Sequence, residues 1–341
     1  MTHRIALNFE DGVTRFVEAR PGETIADASY RVGVNIPLDC RDGACGACKC
    51  RVEAGSYESG FYIEDALSED EAQQGFALAC QATPTGPMAI SILASSAACK
   101  TKQQTFETKM VAVDRLSATS IAFTLEKPAG LTFLPGQYVN VGVPGTDQTR
   151  AYSFSSEPGA DGLTFLVRDV PGGLMSGWLS DTAAPGAAMR LLGPAGGFYL
   201  RDLKRPLLML AGGTGLAPFL SMLGDMQQKG AAVTTRLIYG VTNDEDLVSI
   251  AALESHAAQA PNFSFITCVA SAESDHARKG YVTDHITPED LNGGDVDIYL
   301  CGPPAMVEAV RTWLAQQGVK PASFHYEKFT PGAAAPTTKA A

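Results

Sequence analysis

Nothing in these 341 residues approaches the roughly 18 consecutive apolar residues of a membrane span, and the opening stretch from Met1 to Gly12 holds no uninterrupted apolar region that would serve as a signal peptide. The expectation is a soluble, cytoplasmic chain without a membrane partner. In a long chain without a secretory signal, a framework of disulfides is not expected. Basic side chains are scarce: 26 Lys and Arg face 37 Asp and Glu, a net charge of −11, whereas a nucleic-acid reader needs a basic footprint. The deficit is uneven. Residues 1–99 carry −7, residues 100–203 balance at 0 and residues 204–341 carry −4. An acidic first third suits docking to a protein that presents a basic patch, and it serves solubility equally well. The five histidines, His3, His256, His276, His285 and His325, are scattered without metal-ligand spacing, and no internal repeat appears.

What is present is a cysteine pattern. Cys40, Cys45 and Cys48 are separated by four and two residues in one glycine-rich loop, and Cys80 follows after a gap of 31. This C-x4-C-x2-C…C spacing is the plant-type arrangement that holds a 2Fe–2S cluster by four thiolates. Zinc favours two short C-x2-C pairs and fits a three-plus-one set poorly. Gly43 and Gly46 let the loop curl with its N–H groups inward, toward the negative charge of a thiolate-bound cluster. Cys50, on the following strand, is expected to pack rather than ligate, and Cys99, Cys268 and Cys301 need not pair.

With 45% hydrophobic residues the chain can bury several cores, and its patterning changes twice. Strands are expected at 3–9 and 13–18 around the Glu10-Asp11-Gly12 turn. A helix capped by Thr24 should run to about Val32, with Ile25, Ala28 and Val32 on one face. Another strand at 49–54, an acidic helix near 68–74 and a strand at 88–93 complete a compact β-grasp-like domain over 1–98. Residues 99–106 are polar and read as a linker. From 107 to 203 the pattern is β, with strands at 108–115, 120–126, 137–143, 150–155, 163–169 and 188–192 punctuated by Gly and Pro, as in a small antiparallel barrel.

Two stretches of the barrel carry chemistry. In Arg150-Ala151-Tyr152-Ser153-Phe154-Ser155, alternation puts Arg150, Tyr152 and Phe154 on one face and Ser153 and Ser155 on the other, offering a phosphate clamp, a flat ring and hydroxyls. In Pro171-Gly172-Gly173-Leu174-Met175-Ser176, a glycine-rich turn leads into a helix whose unpaired N–H groups suit a diphosphate. Taken alone, Tyr152 and Phe154 serve equally as barrel core, and Gly172-Gly173 as a tight turn.

From 204 to 330, apolar strands alternate with helices, as in a doubly wound parallel α/β domain. Pro206–Leu210 is an apolar strand suited to a covered parallel sheet, and it feeds Gly212-Gly213-Thr214-Gly215 and then a helix. This turn can hold a nucleotide diphosphate, although it lacks the G-x-G-x-x-G spacing. The strand at 237–241 ends in Thr242-Asn243-Asp244-Glu245-Asp246. Acidic residues here can hold an adenosine ribose, and the absence of Lys or Arg disfavours a 2′-phosphate, so NADH is expected over NADPH through Asp244 or Asp246. Cys301-Gly302-Pro303 makes a second strand-to-helix turn. Read alone, Cys301 is a buried strand thiol. The chain closes with Glu327-Lys328-Phe329, and residues 331–341 are expected to be disordered.

The barrel and nucleotide motifs together resemble the ferredoxin–NADP reductase-like family, with its Arg-x-Tyr-Ser signature and Cys-Gly-Pro turn. The order ferredoxin, flavin barrel, nucleotide domain, with Tyr239-Gly240-Val241-Thr242 and Tyr326-Glu327-Lys328-Phe329, is similar to the reductase components of benzoate-, anthranilate- and toluate-type 1,2-dioxygenases. The resemblance implies FAD, with Arg150 on its diphosphate, Tyr152 stacked on the flavin, Ser153 near the reactive N5, and backbone at Gly172, Leu174, Met175 and Ser176 on the diphosphate. It places Cys301 near the nicotinamide, with Gly302 and Pro303 in the cofactor-binding turn. Phe329 would lie over the flavin and Glu327 at its edge, so that Ser153, Cys301 and Glu327 become the catalytic candidates. Electrons would pass from NADH through FAD and the 2Fe–2S cluster to an oxygenase component with a Rieske centre. Potentials of about −400 mV for plant-type clusters and about −150 to +300 mV for Rieske centres agree with that direction. The acceptor could instead be a di-iron or other monooxygenase. A different class, a non-enzymatic carrier or redox sensor, would require the flavin and nucleotide motifs to be vestigial.

Overall fold

The computed structural model describes residues 2–38, 43–44, 46–64, 66–100 and 104–329. Cys40, Cys45, part of the expected linker and the tail at 331–341 lie outside the described residues. The chain divides into two compact units, Met1–Gln104 with Gly193–Gly197, and Thr105–Leu192 with Phe198–Ala341.

In the first unit, β1 (His3–Phe9) and β2 (Thr14–Ala19) form the expected hairpin. Helix α1 (Ile25–Arg31) starts at Thr24, whose hydroxyl accepts the Asp27 N–H at 3.2 Å. Ile25 and Ala28 are fully buried as expected, but Val32 is 50% exposed, because the helix ends before it and Ala26 and Ser29 take the inner face. The strands β3 (Lys49–Ala54), β4 (Tyr57–Ser59), β5 (Phe76–Leu78), β6 (Ala82–Pro84) and β7 (Met88–Ile92) follow, with α2 (Glu69–Gln73) between β4 and β5. The sheet order is β2-β1-β7-β3-β5, with β1 and β7 parallel and the other neighbours antiparallel. The three-residue strands were not legible in the sequence, being too short to show a period. The linker is shorter than expected: Cys99 is buried and its carbonyl accepts the Asn35 N–H at 2.7 Å.

In the second unit, β8 (Gln104–Arg115), β9 (Ser120–Glu126), β10 (Tyr138–Gly142), β11 (Thr149–Ser153), β12 (Gly162–Arg168) and β13 (Ala188–Ala195) form one sheet in the order β11-β10-β13-β8-β9-β12. An antiparallel bridge between Phe154 and Phe165 joins its two end strands and closes the barrel. Closure removes the sheet edges and packs Phe123, Phe154 and Phe165 inside, all fully buried. Helix α3 (Leu174–Asp181) lies between β12 and β13 in the chain.

The remaining strands, β14 (Leu207–Gly212), β15 (Thr235–Val241), β16 (Phe263–Val269), β17 (Asp297–Gly302) and β18 (Ser323–Lys328), form a parallel sheet ordered β16-β15-β14-β17-β18. Every residue of β14 and β17 is buried. Alternate side chains feed two cores: Leu207, Met209 and Ala211 pack with α4 (Ala217–Gln228) and α5 (Ile250–Gln259), and Leu208 and Leu210 with α7 (Pro304–Gln316). A strand covered on both faces has no polar side, which is why the sequence there is continuously apolar. The short helix α6 (Pro288–Leu291) precedes β17. No helix of the described residues is long and apolar enough to cross a membrane.

Candidate functional site

Around the cysteines, the first unit brings the third and fourth thiols together. Cys48 and Cys80 are buried, and the Cys80 N–H donates to Cys48 Sγ at 3.4 Å. A second donor, Gln81 Nε2, lies 3.8 Å from Cys80 Sγ. N–H groups aimed at sulfur favour thiolates, the form that binds iron. Gly43 and Gly46 both have positive φ, 82° and 73°. A Cβ on Gly43 would lie 2.3 Å from the Phe61 carbonyl, and one on Gly46 2.8 Å from that of Ala66. Glycine is therefore required at both by conformation and by space. The adjacent Cys48 and Cys80 thiols and this cradle fit a 2Fe–2S cluster; Cys40 and Cys45 lie outside the described residues. Cys50 is fully buried and burial pushes its thiol up to about 12, so it packs, as expected. The described cysteines form no disulfide.

Across the second unit, the barrel and the parallel sheet meet at Ser153. Its buried hydroxyl donates to Glu327 Oε2 at 3.3 Å. Glu327 sits on β18 directly beside Cys301 on β17 in the ladder register. The three catalytic candidates, from three separate strands, therefore converge. Burial, reinforced by Glu327, pushes the Cys301 thiol well above its usual value and keeps it protonated. Phe329, just beyond β18, packs against the core of the nucleotide-binding sheet, and its N–H donates to the Gly302 carbonyl at 2.9 Å.

On β11, Arg150 Nη2 donates to Gln148 Oε1 at 3.0 Å and its Nη1 to the Thr149 carbonyl at 2.8 Å, so the guanidinium is held at the strand start. The Tyr152 ring packs edge-on to Phe123 at 5.9 Å, and burial raises its phenol pKa. Gly172 has φ 71°, with open space where a Cβ would stand, and Gly173 caps α3 without a side-chain hydrogen bond. Ser176 spends its hydroxyl on the backbone of Val170, and the first N–H groups of α3, at Leu174, Met175 and Ser176, are those a helix leaves without intrahelical partners. An open turn, a guanidinium and an aromatic ring fit the diphosphate and ring of FAD. The Pro135-Gly136 turn packs against the segment after β13: the Leu200 N–H donates to the Pro135 carbonyl at 2.9 Å, and a Cβ on Gly136 would lie 2.7 Å from the Phe198 carbonyl.

At the carboxyl ends of the parallel sheet, the strand order reverses between β14 and β17, the switch point where open α/β sheets bind ligands. Here the Gly212–Gly215 turn and the Cys301–Pro303 turn press together. A Cβ on Gly215 would lie 2.3 Å from the Cys301 carbonyl, and one on Gly212 2.5 Å from Met306 Sδ. Thr214 lies in the same short helical turn, which leads into α4. Two glycine-containing turns with backbone N–H groups at a helix start suit a nucleotide diphosphate.

The two acidic candidates after β15 separate. Asp246 is buried; its Oδ1 accepts from Thr119 Oγ1, in the barrel, and its Oδ2 accepts the Asn243 N–H at 3.1 Å. Asp244 is exposed and accepts from Ser274 Oγ at 2.8 Å. Asp246 is thus committed to structure, while Asp244 presents a carboxylate to solvent. Sequence reasoning missed Thr119, which is 127 residues from its partner, and Gln81, whose place beside Cys80 was a usable signal.

Three protein-family models match: a 2Fe-2S iron-sulfur cluster binding domain over residues 8–85, an oxidoreductase FAD-binding domain over 108–199 and an oxidoreductase NAD-binding domain over 209–312. The chain is 55% identical over 336 residues to a toluate 1,2-dioxygenase electron transfer component of Pseudomonas putida, covering 98% of this chain and 100% of that protein. It is 52% identical to a 2-halobenzoate 1,2-dioxygenase electron transfer component of Burkholderia cepacia, over 97% and 99% of the two chains. Among solved structures, an Amycolatopsis cytochrome P450 reductase superposes with a TM-score of 0.71 at 32% identity, covering 96% of this chain and 99% of that one.

Proposed function

This chain belongs to the family of dioxygenase electron transfer components, NADH-dependent oxidoreductases with 2Fe–2S, FAD and NAD domains, and we propose that its acceptor is the Rieske centre of an aromatic-ring 1,2-dioxygenase of the benzoate type. The observation that carries this reading is the match over essentially the full length of the toluate 1,2-dioxygenase component, including all three domains. Bound flavin converts the two electrons of a hydride into single ones, and the bound cluster carries them singly.

The residues supply position, polarity and proton control. Arg150 and the N–H groups at Gly172, Leu174, Met175 and Ser176 hold a diphosphate, and Tyr152 offers its ring to the flavin. Ser153, tethered to Glu327, presents a hydroxyl through which a proton can pass between the flavin edge and the carboxylate. Cys301 stays a neutral thiol, so it adds no negative charge where a hydride must arrive. Phe329, its N–H anchored to Gly302, would supply an aromatic face over the flavin. The turns at Gly212–Gly215 and Gly302-Pro303 hold the nucleotide. Asp244 takes the adenosine ribose and so selects NADH. The use of NADH and of cysteine thiolates as cluster ligands supports a cytoplasmic location.

The test is anaerobic. The purified chain, NADH and the isolated Rieske-containing oxygenase component of a benzoate-type dioxygenase are mixed, and the Rieske absorbance is followed. Bleaching that depends on this chain is expected. Bleaching no faster than in its absence, alongside rapid reduction of a di-iron oxygenase component, would overturn the acceptor assignment.

A further inference from the structure

Lys49 directly follows the cluster ligand Cys48, and its ammonium is buried: Nζ lies 2.7 Å from Glu71 Oε2, with the side chains only 6% and 5% exposed. A buried ion pair is a weak source of stability, because desolvating two charges offsets their attraction and an apolar pair of similar volume often does as well. The placement of this pair is tightly defined. Lys49 opens β3 opposite Leu78, two residues before Cys80, and the Ala79 N–H donates to the Cys48 carbonyl at 3.0 Å. Glu71 Oε2 also accepts the Ser68 N–H at 3.0 Å, closing the capping box of α2. The lysine thus belongs to the strand that leaves one cluster ligand and pairs with the strand leading to another, while its carboxylate is anchored to a helix.

We propose that the Lys49–Glu71 pair sets the reduction potential of the cluster held by Cys48 and Cys80. Adding one electron to a site bound by four thiolates, with no proton taken up, makes it more negative by one charge. A buried cation on the residue next to a ligand favours that state, and a buried carboxylate opposes it, both acting through a medium that screens poorly. The carboxylate therefore trims the effect of the lysine and keeps the cluster a willing donor. Both are positioning residues: neither ligates iron. The inference rests on the 2Fe–2S reading of the first unit.

Full-length wild-type protein is first assayed for iron, sulfide and cluster absorption; their absence would defeat the cluster reading itself. Anaerobic redox titration, followed by the EPR signal of the reduced cluster, then compares variants, with the flavin in the same sample as the internal reference. Glu71→Gln is expected to raise the potential and Lys49→Met to lower it, each by about tenfold in the one-electron equilibrium, or 59 mV. Where a single variant loads poorly, exchanging the two residues (Lys49→Glu with Glu71→Lys) retains an ion pair of reversed direction and is expected to lower the potential. Shifts of the same sign in the two single variants, or an unchanged potential in loaded protein, would overturn the proposal. Loss of the cluster from every variant would overturn it as well, since the pair would then hold the site together rather than tune it.

Discussion

In the first unit, the cluster thiols that meet, Cys48 and Cys80, are 32 residues apart, and the glycines that shape their cradle sit in the same loop as the cysteines. In the second unit, Ser153 and Glu327 touch across 174 residues, and neither has its site partner nearby in the chain. The difference is one of what defines the site. A cluster loop is specified by ligand spacing and by backbone conformations that only glycine adopts easily, both local properties. The site around Ser153 exists only once a closed barrel and a five-stranded parallel sheet have set three strand ends side by side. Local construction makes a site modular, and assembled construction makes it sensitive to every element that holds the strands in register.

The sharpest way to break this comparison is to remove one cluster ligand. Cys48→Ala is expected to abolish electron delivery to a one-electron protein acceptor while most NADH-to-ferricyanide activity survives. Stopped-flow assays with both acceptors would check this, and parallel loss of the two activities would mean that the sites are not separable. The next largest effect lies in the assembled site. Ser153→Ala is expected to slow flavin reduction by NADH by about 10²-fold, within the range for a positioned proton-transfer group, with Glu327→Gln close behind. Single-turnover flavin bleaching measures it, and a changed KM with an unchanged rate would assign Ser153 to binding alone.

Acid should sharpen the contrast further. His325 lies on β18 two residues before Glu327, its ring tilted against Tyr299 at 4.8 Å, and burial, with the Arg201 charge, pushes it down to about 4. Folded, it stays neutral where the unfolded chain, titrating near 6.5, binds a proton. Its contribution is therefore fully present above pH 6.5 and is lost as pH falls toward 4, roughly 3 kcal/mol in all. Flavin-monitored unfolding across that window should show the loss, and His325→Gln should flatten the slope. The smallest effect concerns the nucleotide. Asp244→Ser is expected to narrow the NADH preference about tenfold in kcat/KM, the scale of one hydrogen-bonded charged contact. Asp246→Asn should leave that preference in place and instead lower stability, because Asp246 serves Thr119 and Asn243.

Most of the fold was legible because its periods are long enough to read. The hairpin at the start, the Thr24 cap and the apolar run of β14 all announce themselves. The failures have physical causes. Val32 fits a helical face by spacing, yet the helix stops one residue earlier. The strands β4, β5 and β6 are too short to carry a period, and they exist because neighbours supply their hydrogen bonds. Asp244 and Asp246 look equivalent in the acidic turn. Burial against Asn243 and the approach of Thr119 from the barrel distinguish the structural carboxylate from the one that faces solvent.

From the residues alone came the four-cysteine cluster motif, the glycines it requires, the two changes of pattern that mark the domains, and the residue types suited to phosphate, ring and nucleotide. These are properties of spacing and conformation within short stretches, where backbone sterics and ligand count leave few alternatives. The convergence of Ser153, Cys301 and Glu327, the raised thiol of Cys301, the burial of Lys49 against Glu71 and the separate roles of Asp244 and Asp246 came from the tertiary structure. Burial, desolvation and contacts between distant strands are set by packing, and packing is a property of the whole chain at once.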